Sequence, residues 1–281
     1  MSLSLPLEVF AVFFVGMLPF MLSAFPDRYA LANRQLSNTE LLLGNWTRAL
    51  GVVALVLYVA SRQPSGVASL ALHAHDTQGN TTAVAVGVIV LALFLVLLTF
   101  ATRLFRRKTA PTPPGTANED RPQLQDVARY RRLPERIAFL SLLAFLVLAE
   151  DLVSRGYLVY LLGTRLGNFV PGIIISLAFT VMAHLYQGRN ARFMAWHILL
   201  GAIFIFLLML TGNLLAVIVG HLYYDILFAI GRWRVLDRQA PQEAVPSFTL
   251  FEKIFYPAFI LFNVCVLGVF IYMAGFFSLS F

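Results

Sequence analysis

Charge is what this chain has least of. Only 12% of its 281 residues are Asp, Glu, Lys or Arg, about half the share of a soluble globular domain. That excludes the soluble class, and with 59% hydrophobic residues the chain reads as a polytopic membrane protein. Acids are scarcer than bases, 14 against 21. The basic excess does not imply a nucleic-acid partner, because the bases sit in short loops between apolar runs, the pattern of loops facing anionic membrane lipid. Cysteine is nearly absent. Cys265 alone excludes a disulfide within the chain and any cysteine-based zinc site. The first six residues lack a basic stretch and no convincing small-residue cleavage site follows, so the first apolar run is expected to persist as a helix and not as a signal peptide.

Apolar runs are what the sequence has in quantity. A helix needs roughly 20 residues to cross about 30 Å of hydrocarbon, and eight runs qualify: 5–25, 41–60, 83–105, 137–162, 169–186, 193–210, 214–230 and 254–277. The second is the weakest, since Asn45, Trp46, Thr47 and Arg48 interrupt its start. The expected fold is therefore an all-α transmembrane bundle of about eight spans. Alternate loops divide the bases unevenly. One set receives Arg28, Arg34, the bases from Arg103 to Arg136, Arg189, Arg192, Arg232, Arg234, Arg238 and Lys253; the other receives only Arg62 and Arg165. By the positive-inside rule the rich set is cytoplasmic, which puts both termini outside. A bacterial-type inner membrane is the expected location.

Residues 109–125 hold Pro111, Pro113, Pro114, Gly115 and Pro122 with no apolar periodicity, the composition of a linker. The expected organisation is a three-helix part over 1–108, a Pro-rich cytoplasmic linker over 109–135 and a five-helix core over 136–281. His73, His75 and Asp76 fall in an outer loop, where solvated side chains are the expectation rather than a metal site.

Glu150, Asp151 and Arg155 lie inside an otherwise apolar run. Each carboxylate placed there costs at least about 2.5–3.5 kcal/mol, so the cluster needs a compensating role. Asp151 and Arg155 are four residues apart and share a helix face, acid before base, as an ion pair prefers. Glu150 is expected to point elsewhere, unpaired, and in apolar surroundings to suit general acid–base work. His221 and Asp225 are also four apart on one later span, and His184 lies on another. A histidine near a carboxylate suits proton transfer, oxyanion binding or metal ligation. His197 has no polar residue at helical spacing and is expected to be a packing residue, while Glu8 and Glu252 fall at span ends.

The three groups resemble the motifs of the CPBP family of intramembrane endopeptidases, which includes the type II CAAX prenyl endopeptidases. Glu150-Asp151-Leu152-Val153-Ser154-Arg155 resembles the first motif, two acids, three variable residues and Arg. Ala183-His184-Leu185-Tyr186 resembles the second, and His221-Leu222-Tyr223-Tyr224-Asp225 the third, with Thr211-Gly212-Asn213 preceding it as the family's usual approach. Two departures stand out. Asp151 replaces a usual Glu, and Thr180 stands where the family usually has Phe four residues before the histidine.

The resemblance implies an endopeptidase acting on a peptide or a lipidated protein C-terminus at the membrane. Glu150 and His184 would activate water, and His221 with Asp225 would face them as the oxyanion side. Asp151 and Arg155 would be structural. An ionised Asp accepts but cannot donate, so Asp225 would be protonated, orient His221 or help hold a metal. The expected mechanism needs no cofactor; a zinc alternative would use Glu150, His184 and His221. An inactive family member acting as a membrane scaffold, immunity or partner-binding protein is the competing reading, followed by a proton-coupled transporter. Substrate identity and oligomeric state are left open.

Overall fold

The structure is a computed structural model that describes residues 8–10, 12, 37–72, 77–106, 130–184, 191–239 and 249–273. These residues are helical apart from short connections and contain no strand. Seven long helices follow in order: α1 (Asn38–Ser61), α2 (Thr77–Arg106), α3 (Leu133–Leu166), α4 (Val170–His184), α5 (Ala191–Thr211), α6 (Leu214–Gln239) and α7 (Leu250–Met273). Each coincides with an expected apolar run from the second onward, whereas the first run lies almost wholly outside the described residues. The loop histidines His73 and His75, with Asp76, lie outside them too. Helices α1 and α3, Met194–Thr211 of α5 and Leu214–Val235 of α6 are long and apolar enough to cross a membrane. This is an integral membrane protein. Helix α4 and Thr81–Phe94 of α2 are shorter apolar helices.

Local chemistry sets the helix ends. Helix α1 opens with a capping box, in which Glu40 N–H donates to Ser37 Oγ and the Glu40 carboxylate accepts from Ser37 N–H. Thr249 and Glu252 do the same for α7. The polar interruption in the second run does not break α1, because Thr47 donates back to Leu43 O and Arg48 to Asn45 Oδ1. Between α5 and α6 the chain reverses in two residues. Gly212 takes φ +61°, which only glycine adopts freely, and Asn213 Oδ1 then caps α6 by accepting from Leu215 N–H.

Packing joins the helices on both sides of residues 107–129. Helix α1 lies along α3 and α2 along α6, and one apolar core takes Val52 and Val56 from α1, Leu91 from α2, Leu148 and Leu152 from α3 and Leu215 from α6. The α2–α6 crossing is close: a Cβ on Gly87 would come within 2.7 Å of Ala216 O. Helix α3 begins at Leu133, so its first turn occupies the last residues of the expected 109–135 linker, whose residues 109–129 lie outside the described part.

Polar contacts gather at the two ends. At one, Arg165 Nη1 donates to Glu8 Oε1 at 2.8 Å and Gln63 Nε2 to Glu8 Oε2 at 3.4 Å. At the other, Arg132 bridges Glu135 and Glu252, and Arg136 pairs with Asp237. Glu8 is thus buried by partners and is more than an interfacial carboxylate.

Candidate active site

Helix α3 changes its winding in the first motif. Residues Leu152–Leu161 are π-helical, and Leu162 N–H donates to Tyr157 O, five residues back. A π-turn is wider than an α-turn, so side chains five apart approach a common face. The pairing follows. Arg155 Nη1 lies 2.7 Å from Asp151 Oδ1, as helical spacing predicts, and also 2.9 Å from Glu150 Oε1. Glu150 is therefore not the unpaired acid that a regular α-helix would make it. Arg155 and Asp151 are fully buried and Glu150 is nearly so.

The other two motifs close on this group. On α4, His184 Nδ1 stands 2.7 Å from Thr180 O. A carbonyl oxygen only accepts, so Nδ1 carries a proton, and in the neutral ring Nε2 is the nitrogen with the lone pair. Thr180 also joins the first motif to the second, since its Oγ1 accepts from Arg155 Nη2 at 3.3 Å. The position that departs from the family pattern thus binds both motifs. Phe179, one residue earlier, is buried in the apolar core. Helix α4 approaches α3 closely enough that a Cβ on Gly172 would collide with Leu158 O.

On α6, His221 Nδ1 lies 3.2 Å from Asp151 Oδ2 and Nε2 lies 3.8 Å from Asp225 Oδ2. Asp151 accordingly serves two partners, Arg155 and His221. Asp225 is more open than Glu150 and Asp151, with 26% of its side chain exposed. Glu150 interacts electrostatically with His184 and His221, and Asp225 with both histidines and with Glu150. The residues of all three motifs surround one polar site.

A family model described as type II CAAX prenyl endopeptidase Rce1-like matches residues 133–227. The chain carries an Rce1-like domain there. No curated protein and no solved structure matches the chain. The matched stretch runs from the start of α3 to just past Asp225 in α6, about a third of the chain, and includes Glu150, Asp151, Arg155, His184, His221 and Asp225. The family is a protease family.

Within the Rce1-like domain, three neighbours of the site carry no motif signal. Thr180 is one. His197 packs as expected, but against His184, with ring centroids 4.4 Å apart. Phe204 lies 4.5 Å from the His221 ring and 5.4 Å beneath the Arg155 guanidinium. The last two fall seven residues apart, on one face of α5, a periodicity that the helix hides because nearly all its other positions are apolar. Among the described residues no three His, Cys, Asp or Glu side chains are grouped so as to hold a metal ion.

Proposed function

We propose that the Rce1-like domain is a membrane-embedded endopeptidase that hydrolyses a peptide bond near a peptide or lipidated protein C-terminus delivered from the cytoplasmic side. The observation that carries this reading is the convergence of three motif helices, α3, α4 and α6, on one buried acid–base–histidine site inside a domain of a protease family. A proton-coupled transporter would not require that match.

The division of labour follows from the contacts. His184 offers Nε2 as proton acceptor because Nδ1 is committed to Thr180 O. Glu150 is tied to Arg155 through Oε1, so Oε2 is the oxygen to take the water proton as the water oxygen attacks the scissile carbonyl. Across the site, Asp151 engages His221 Nδ1 and turns Nε2 toward Asp225. His221 then forms the oxyanion side and Asp225 orients it, the role left to an ionised Asp that cannot donate. The proton held by Glu150 or His184 passes to the leaving amine as the bond breaks. The proposed mechanism uses no metal.

The proposed topology is eight spans with both termini outside, in a bacterial-type inner membrane, and the only partners proposed are the peptide or lipidated substrate and membrane lipid. Purified protein in vesicles, given a quenched prenylated peptide, tests the activity. Wild type should release a discrete C-terminal fragment detectable by mass spectrometry. No cleavage of prenylated or membrane-tethered peptides by folded protein would overturn the reading in favour of the inactive scaffold.

A further inference from the structure

Helix α5 carries none of the three motifs, yet one of its faces completes the site. His197, Gly201, Phe204 and Leu208 recur at spacings of four, three and four, which aligns them on one side of the helix. All four are buried, whereas Ile198, Leu199, Phe206 and Met209 on the other sides are exposed. Two rings on the buried face repeat one geometry. His197 lies against His184 with centroids 4.4 Å apart and planes at 33°. Phe204 lies against His221 at 4.5 Å and 34°. Between them, Gly201 lets α5 approach α4, for a Cβ there would sit only 3.1 Å from Leu177 and 3.6 Å from Thr180.

One hydrogen bond does not fix an imidazole. With Nδ1 held, the ring still tilts about that bond, and Nε2 swings with it. His184 makes such a bond to Thr180 O and His221 to Asp151 Oδ2. A flat neighbour on the ring face removes the remaining freedom. Productive geometry tolerates only about 10–20° of error, and a displacement of about 1 Å can cost roughly a hundredfold in rate.

We propose that His197 and Phe204 are the positioning residues of the site, each clamping one of its two histidines by the ring face, so that α5 acts on the reaction through His184 and His221. This rests on the peptidase reading, and its test therefore needs one arm that does not.

In the kinetic arm, Phe204→Leu keeps apolar volume but loses the flat face, His197→Ala removes the ring, and His197→Phe restores a flat ring without the imidazole. Phe204→Leu and His197→Ala are each expected to lower kcat about tenfold or more at nearly constant KM, and His197→Phe to recover most of the loss. Unchanged kcat in both, or a loss confined to KM, overturns the clamp. So does a His197→Phe variant that is folded yet no better than His197→Ala. The second arm reads the imidazole proton resonances of histidine-labelled protein, which has five histidines to assign. Loss of the neighbouring ring removes its ring current, so Phe204→Leu should move the His221 line and His197→Ala the His184 line. If wild type shows no cleavage, the peptidase reading fails by itself and the lines decide alone; lines that stay in place overturn the clamp.

Discussion

Arg155 has no exposed surface, and its charge is held by Glu150, Asp151, the Thr180 hydroxyl and the face of Phe204. Removing one partner of a buried ion pair leaves the others uncompensated, at about 3–5 kcal/mol. Arg155→Ala is therefore expected to destabilise the protein by about that much, read as the loss of folded protein during thermal unfolding in detergent. Arg155→Lys should recover only part, because one ammonium cannot reproduce the planar fork that serves two carboxylates and a hydroxyl. Asp151→Asn tests a different link. It keeps the size but removes the carboxylate that holds His221 Nδ1, and we expect kcat to fall about a hundredfold with KM little changed. An unaltered kcat would remove Asp151 from the orienting role. At this scale the Asp151–Arg155 pair was legible in the sequence, because regular helical spacing brings residues four apart together. The Glu150–Arg155 contact was not, since it depends on a local change of winding. The Asp151–His221 contact joins residues seventy apart in sequence, and no local pattern reports it.

The helices themselves were legible from run length and apolarity, and seven of them fall where eight runs were expected, the first lying outside the described residues. The π-helical part of α3 was not. Leu-Val-Ser-Arg-Gly-Tyr carries no propensity that separates π from α winding. Close crossings give a sharper prediction. Gly87→Leu must displace the backbone of α6 at Ala216, and overpacking of this kind costs about 1–3 kcal/mol. Gly51→Leu on α1, where a Cβ meets nothing within 4 Å, is the matched control and should not lower stability. The α7 capping box predicts a pH effect. The Thr249 backbone N–H, helped by its hydroxyl and by Arg132, holds the Glu252 carboxyl below the usual carboxylate range. A group with a lowered folded pKa contributes fully above its unfolded value, near 4.3, and loses that contribution as pH falls through the folded value. The difference in melting temperature between wild type and Glu252→Gln should therefore be present at pH 7 and shrink toward zero on acidification below pH 4. A constant difference would place its origin elsewhere.

Across the whole molecule, charge marks the two ends and the site lies between them. Glu8, Gln63 and Arg165 meet at one end, while Arg132, Arg136, Asp237 and Glu252 meet at the other. Arg165 belongs to the base-poor set of loops and Arg132 and Arg136 to the base-rich set, so the expected topology can be tested by labelling. With Cys265 replaced by serine, a cysteine introduced at Arg62 should react with an impermeant thiol reagent added from outside intact cells, and one introduced at Gly115 only after the membrane is opened. The reverse pattern would invert the orientation. The central claim concerns Glu150 and His184 as the pair that activates water, and its most direct test is cleavage of a quenched prenylated peptide by purified wild type, Glu150→Ala and His184→Ala in vesicles, each shown to be folded. Cleavage by wild type, reduced at least about a hundredfold in both variants, is the expected result. Glu150→Ala cleaving as fast as wild type would contradict it.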